Sequence, residues 1–352
     1  QSRFETYKLI VFCAIVKDAD SCSINTGKDS TKWVNRFLYR MGDAPRIYDP
    51  KLAEETRLQI EQAVRNMGYM SRQVSMHTQV KGKKIKVGYQ IHSGEPYLIS
   101  HVAYDIADYQ IHDYLMADSA RSYLKSGSRL DVNKLDEERD RITQYLQNRG
   151  YYRFNKDFIT YQVDTMRNSR NVDLIMKLHP YRRKKEDPPS PHRQYYVRNV
   201  DFMFDVDFAE LTSGRLKGID SLRSGGVNFF YKDKLFLRPQ VISDYNYLKS
   251  GNLYRTRDVQ STYSALGRLN ILKYSNIRFR EELEADSAYL DAYVMLTRNK
   301  NKSLSFEIEG TNSAGDLGAA ASVAYSHRNL FKGSETFTFK LRGAYEAVTG
   351  LE

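Results

Sequence analysis

The sequence is poor in the residues that cross-link a chain or hold a metal, and it has no long apolar run. Its two cysteines, Cys13 and Cys22, have no Cys or His partner at zinc-ligand spacing. They read either as a local disulfide in an oxidising compartment or as one buried and one loop thiol. The longest apolar stretch, LIVFCAIV from Leu9 to Val16, is far short of the roughly 20 residues a membrane helix needs. No small-residue cleavage pattern follows it, so it does not read as a signal peptide, and its β-branched residues suggest a buried strand. The seven histidines (His77, His92, His101, His112, His179, His192, His327) are scattered, with none paired at i, i+4. Neither a phosphate-cradling glycine loop nor a nucleophile elbow occurs. The carboxylates Glu281, Glu282, Glu284 and Asp286 read as a charged hairpin tip. No enzyme activity, catalytic residue, metal or cofactor is therefore expected.

What the sequence does hold is tyrosine, positive charge and repetition. The 352 residues include 27 Tyr and carry a formal charge of +11, spread along the chain rather than blocked. That pattern suits a solvated basic surface. The best candidate for stacking on bases, YYVRNVDFMF from Tyr195 to Phe204, alternates as a half-buried strand does, so no nucleic-acid partner is expected.

Two short phrases recur in register. KLAEE at Lys51 precedes NMGY, and KLDEE at Lys134 precedes NRGY, with offsets of 83 residues between the lysines and 82 between Gly68 and Gly150. Upstream, LYRMG ends at Gly42, YLKSG at Gly127 and YLKSG again at Gly251, which exposes a third copy with Gly267 in the place of Gly68 and Gly150. Apolar residues at Leu52, Leu58, Ile60 and Val64 predict a helix over 49–66, and Gly68 at its end suits a left-handed residue that closes the last turn. Alternating runs around Lys81-Gly82 predict a hairpin. Copy two reads β-α-α-β-β in full. Copy three repeats that order around an inserted Gly- and aromatic-rich stretch, Phe208 to Phe236, with helices near 239–248 and 255–266 and strands near 276–283 and 289–297. Copy one has its first strand in YKLIVFCAIV or lacks it, with STKWVNRFLYRMG as its first helix.

The fold class is thus α+β, with tandem β-α-α-β-β modules at 1–94, 95–181 and 195–302 and a proline-rich linker at 182–194. Over 303–352, LSFEIEG, LGAAASVAYSH and ETFTFKLRGAYEA alternate with no helix between them, in the grammar of a β-meander or barrel.

The repeated unit with Gly-Tyr after its second helix resembles the POTRA module. Followed by Gly-rich strands containing YSHRNLFKGSE (Tyr325 to Glu335), the chain resembles the outer-membrane protein assembly family that includes BamA and TamA. MGDAPRIYD (Met41 to Asp49) is also similar to a Gly-Glu-x-Pro-x-x-x-Asp segment of Bacteroidetes members, with Asp43 where Glu is usual. The resemblance implies periplasmic POTRA modules leading into the first strands of a transmembrane β-barrel in the bacterial outer membrane. It implies unfolded outer-membrane precursors as partners, with accessory periplasmic proteins or lipoproteins and outer-membrane lipids beside them. Recognition would be by β-augmentation, the pairing of a client strand with an open sheet edge. The expected edges are Val74, Ser75, Met76, His77 and Thr78 in copy one and Phe158, Ile159, Thr160, Tyr161 and Gln162 in copy two. Gly68, Gly150 and Gly267 are structural in this reading. A secretion translocator of the same family and a non-catalytic scaffold or adhesion protein are the alternatives.

Overall fold

The computed structural model describes residues 6–13, 48–82, 84–165, 169–183, 186–212, 218–232, 234–284, 287–313 and 316–347, the first of these as backbone path only. The helix expected in STKWVNRFLYRMG, Gly42, and the pairing of Cys13 with Cys22 lie outside the described residues. The chain divides into two compact units, Gln1–Ile142 with Lys156–His179, and Thr143–Asn155 with Pro180–Glu352.

In the first unit, α1 (Pro50–Asn66) begins where Asp49 accepts from the Lys51 N–H at 2.8 Å and Pro50 supplies a preset φ. It packs Ile60 against Ile85, Val87 and Tyr89 of a three-stranded sheet. That sheet has the order β1-β3-β2, from β1 (Thr6–Cys13), β2 (Gln73–Lys81) and β3 (Lys84–His92). A second sheet, β4-β6-β5, is built from β4 (Leu98–Asp105), β5 (Ile159–Thr165) and β6 (Asn171–Leu178). Its core joins Ile99, Leu124, Leu130, Val172 and Leu174. Between β4 and β5 run α2 (Tyr109–Ala117) and α3 (Val132–Gln147). A buried charge network sits on α3: Arg141 pairs with Asp118 and, at 2.8 Å, with Glu138, which also accepts from the Tyr123 N–H. Glu138, the last residue of KLDEE, is almost fully buried, whereas its counterpart Glu55 is exposed.

The second unit holds a five-stranded sheet of order β10-β11-β7-β9-β8. Its strands are β7 (Tyr195–Phe204), β8 (Asp220–Ser224), β9 (Val227–Tyr231), β10 (Leu272–Leu283) and β11 (Ala288–Arg298). Short α4 (Phe208–Thr212) precedes β8, while α5 (Pro239–Asp244) and α6 (Thr256–Leu266) cover one face. Phe202, Phe204, Phe229, Leu266 and Val294 share that core. Within the Phe208–Phe236 insertion, β8 and β9 form a hairpin whose β9 pairs in parallel with β7, widening the sheet on a side where the first two sheets have no further strand among the described residues. The last sheet is the antiparallel meander β12 (Lys302–Ser313), β13 (Asp316–Arg328) and β14 (Thr336–Ala347).

Of the two alternatives for the first strand of copy one, the structure shows the strand present: β1 runs antiparallel to β3, whereas β4 and β7 run parallel to β6 and β11. Two expectations need correction. Phe158 ends a 3₁₀ turn, Lys156–Phe158, and β5 starts one residue later. Gly267 has φ −63°, an ordinary helical value, unlike Gly68 at +90° and Gly150 at +94°. At the segment read as a linker, Tyr181 and Ser190 exchange two backbone hydrogen bonds of 3.0 Å. Three prolines forbid a regular element there, but a single bridge needs only two residues to be extended.

Candidate functional site

Among the strands at sheet edges are β2, β5 and β10, the first strand of the closing hairpin in each of the first three sheets. In β2, Val74 is buried and Met76 half-buried beneath α1, while Ser75, His77 and Thr78 are exposed. The edge is not wholly open, because Arg57 of α1 donates from Nη1 to the Val74 carbonyl at 3.2 Å. In β5, Ile159 is fully buried and Tyr161 half-buried, and Thr160 and Gln162 are exposed. The Phe158 carbonyl accepts from the His179 N–H at 2.8 Å, so Phe158 faces the β6 side of the ladder. Antiparallel alternation then turns the main-chain groups of Ile159, Tyr161 and Val163 to the open side. The structure therefore places the two candidate segments on two separate sheets and does not bring them together.

The β10 edge escaped sequence reasoning, and it carries its own control. Tyr263 of α6 accepts at its hydroxyl from the Ile277 N–H at 2.6 Å and donates to Asn276 Oδ1 at 3.1 Å, with the Ile277 carbonyl a longer acceptor at 3.4 Å. A side chain here stands in for a neighbouring strand at one residue. With Ile277 turned outward, Phe279, Glu281 and Leu283 are turned outward as well, and their main-chain groups have no hydrogen-bond partner among the described residues. Tyr263 reads as one more core residue on an amphipathic helix, and no signal in the sequence marks its second role.

The terminal meander is amphipathic in a different way. Its register sets Leu304 opposite Tyr325, Phe306 opposite Val323, and these opposite Phe339 and Leu341, all on one face and all exposed. Ile308 on that face is 89% exposed and Tyr345 75%. The other face is polar: Glu307 pairs with Lys340 at 2.7 Å and Glu309 with Arg342 at 2.6 Å, and Ser322 donates to Glu307. Strands of 12, 13 and 12 residues exceed the roughly 9–11 that cross a bilayer at a tilt. A sheet with a continuous apolar outer face and an ion-paired inner one has the sidedness of a membrane barrel wall. Among the described residues, no helix is long and apolar enough to cross a membrane.

The meander is tied to the five-stranded sheet through the turn 329–335. Asn329, buried at φ +71°, donates from Nδ2 to the Phe236 carbonyl at 2.6 Å and accepts from the Ser334 N–H at 3.0 Å. Glu335 accepts from the N–H groups of Phe331 and Gly333 and pairs with Arg238 at 3.2 Å. Hydrogen bonds from backbone N–H groups, its own first and then those of Gly333 and Phe331, outweigh burial and hold the Glu335 carboxyl below the usual carboxylate range. Arg238 in turn donates its N–H to the Lys332 carbonyl. The phrase HRNLFKGSE is therefore a structured corner joined to the module before it.

The chain is similar to BamA and other Omp85 structures. It aligns over 71% of its length with BamA from Haemophilus ducreyi lacking POTRA domains 1–3, at 15% identity and a TM-score of 0.44, and spans 37% of that chain. With POTRA3–5 of Haemophilus influenzae BamA the alignment covers 82% of this chain and 97% of the other, at 12% identity and a TM-score of 0.39. With CdiB from Acinetobacter baumannii it covers 85% and 48%, at 9% identity and a TM-score of 0.32. No protein-family model and no curated protein matches the sequence. Among the described residues, no group of three or more His, Cys, Asp and Glu side chains is arranged to hold a metal ion.

Proposed function

We propose that the chain is the POTRA-bearing part and barrel start of an outer-membrane β-barrel assembly and insertion factor. Its modules stand in the periplasm, receive unfolded precursor strands at the β2, β5 and β10 edges, and pass them to the membrane barrel that β12–β14 begin. One observation carries this reading. Sheets with edge strands precede a meander that is apolar on one face and ion-paired on the other, and the turn 329–335 joins that meander to the last of them. Main-chain pairing needs no nucleotide, metal or catalytic side chain, because hydrogen bonds along the edge supply affinity and alternate side-chain positions supply selectivity.

The test replaces Val163 by Pro. Val163 is 39% exposed and turns its N–H to the open side of β5, so the ring removes a donor from the edge and spares the ladder with β6. Photo-crosslinking from Gln162 to an unfolded outer-membrane protein precursor should fall severalfold in the variant while its melting temperature stays within a few degrees. Unchanged crosslinking rejects β5 as a receiving edge, and absence of any crosslink from Ser75, Gln162 and Arg280 in the unaltered protein rejects the strand-receiving function.

A further inference from the structure

In the second unit a cleft of about 470 Å³ opens beside the end of β10. Phe154, Tyr181 and His192 form one wall, with the Phe154 and His192 rings 5.1 Å apart. Three guanidinium groups reach the cleft, from Arg153, Arg183 and Arg193, against a single carboxylate, Glu281. Glu281 is already committed. It is paired with Arg153 at 2.5 Å and accepts from the Tyr195 hydroxyl at 3.1 Å. Burial, with the Glu281 charge adding to it, pushes that hydroxyl up to about 12, so it remains a donor. Among the described residues, the other two cations form no ion pair. Arg193 donates to the backbone carbonyl of Glu284 at 3.3 Å. The cleft thus joins three mutually inclined aromatic rings to two guanidinium groups that have no carboxylate partner among the described residues.

Its position matters as much as its chemistry. Glu281 and Leu283 line the cleft, and both lie on the stretch of β10 whose main-chain groups turn outward beyond the Tyr263 plug at Ile277. We propose that this cleft is a selectivity pocket for an extended polypeptide that pairs with β10 over Phe279–Leu283, and that it takes an aromatic side chain beside an acidic one. The inference rests on the strand-receiving reading and specifies what the β10 edge prefers. A repeat of donors and acceptors at every second residue matches a strand and offers nothing to an isolated headgroup or phosphate. The aromatic wall accepts a ring edge-on, and Arg183 and Arg193 meet a carboxylate by charge-assisted hydrogen bonds. Tyr263 fixes the register by blocking pairing further along the strand.

The experiment uses the full chain and fluorescein-labelled peptides with blocked ends, about ten residues long and of alternating Thr and Val, to match a strand-pairing segment. One carries Asp-Phe near its end, and its control carries Asn-Ala there. Fluorescence anisotropy should show the Asp-Phe peptide binding about tenfold more tightly, as expected for one charge-assisted contact plus a buried ring. The double variant Arg183→Gln, Arg193→Gln should remove that advantage and leave the control peptide unaffected. Equal affinity of the two peptides, or an advantage that survives the double variant, overturns the pocket while leaving edge pairing intact. Competition by phosphatidylglycerol vesicles but not by unlabelled Asp-Phe peptide also overturns it, in favour of a lipid site. If neither peptide binds, the strand-receiving reading fails and the pocket with it.

Discussion

The carbonyl of Gly68 accepts a hydrogen bond from the Tyr97 N–H at 2.9 Å, and the same relationship recurs where the Gly150 carbonyl accepts from Tyr195 at 2.8 Å. In both places the glycine that stops one module's second helix also holds the entry to the next module's first strand. Tyr69 and Tyr152, which follow the helix ends, take part in these joints. Tyr69 accepts from Arg129 at 2.9 Å, and Tyr152 packs edge-on against Tyr195, Tyr254 and Phe279.

The two joint glycines should differ in how they tolerate a side chain. Both have positive φ, which costs a non-glycine residue roughly 1–3 kcal/mol. At Gly68 a Cβ would also lie 2.4 Å from the Leu130 carbonyl oxygen, a backbone atom, whereas at Gly150 it would meet the Leu253 side chain at 2.7 Å, which can rotate. Gly68→Ala should therefore destabilise more than Gly150→Ala, and Gly150→Val more than Gly150→Ala. Gly267→Ala, at a helical φ just past the end of α6, should be close to neutral, because its Cβ would sit 3.2 Å from the Tyr263 carbonyl oxygen and offset alanine's helical preference of about 1 kcal/mol. Denaturant melts of the four variants check this order. A Gly267→Ala loss as large as that of Gly68→Ala would contradict it.

Two neighbouring carboxylates of the five-stranded sheet should give opposite pH dependences. Burial pushes the Asp201 carboxyl up, against the single hydrogen bond from Asn228 at 2.7 Å. For Asp291 burial also acts upward, but Arg198, bonded through Nε at 3.0 Å and Nη2 at 2.6 Å, and Asn199 outweigh it and hold the carboxyl below its ordinary value. Ionised Asp201 therefore costs stability as pH rises from its unfolded value through its raised folded one. Asp291 contributes stability that is complete above its unfolded value and is lost as pH falls through its lowered folded one. Asp201→Asn should raise the melting temperature at neutral pH, and Asp291→Asn should lower it. Both differences should shrink towards about pH 3, where carboxyl groups protonate. Melting curves across that range give the signs directly, and a lower melting temperature for Asp201→Asn at neutral pH would refute the assignment.

Asn329 should be replaceable by neither of its closest relatives. Glycine keeps the φ of +71° but loses both side-chain hydrogen bonds, and aspartate keeps the acceptor for Ser334 but cannot donate to the Phe236 carbonyl. Leaving that buried carbonyl unpaired costs about 1–3 kcal/mol. Amide exchange at Arg238, whose N–H bonds Lys332 across the same corner, should accelerate in both variants. Protection equal to the unaltered protein would mean that the corner is held by Glu335 and Arg238 alone.

Much of this architecture was legible because it repeats. KLAEE and KLDEE lie 83 residues apart and the two Asn-x-Gly-Tyr phrases 82, YLKSG recurs to mark a third copy, and a helix stop followed by alternating residues leaves few options for chain direction. The edge position of β2 and β5 follows from hairpin order, but how open each edge is does not. That depends on side chains from a helix, Arg57 over Val74 and Tyr263 over Ile277, whose reach is set in three dimensions. The direction of β1 was illegible for a related reason, since an extended run carries no mark of which way it pairs. The cleft was hidden because its wall comes from a proline-rich segment read only as spacing, and from Phe154 and Glu281, which are 127 residues apart.

The meander offers the sharpest contrast between two adjacent residues. Phe306 and Glu307 neighbour each other on β12, yet Phe306 lies on the exposed apolar face and Glu307 on the ion-paired one. If the apolar face meets lipid, Phe306→Arg and Ile308→Arg place a charge in hydrocarbon, a cost of about 2–4 kcal/mol near the bilayer midplane. Glu307→Gln weakens one exposed ion pair with Lys340, worth at most about 1 kcal/mol. Extraction of cell membranes with alkaline carbonate separates these cases. Phe306→Arg and Ile308→Arg should shift the protein towards the soluble fraction, and Glu307→Gln should leave it in the pellet. Equal behaviour of the three would mean that the apolar face is covered by protein, because only a lipid contact makes the two faces of one strand respond so differently to charge.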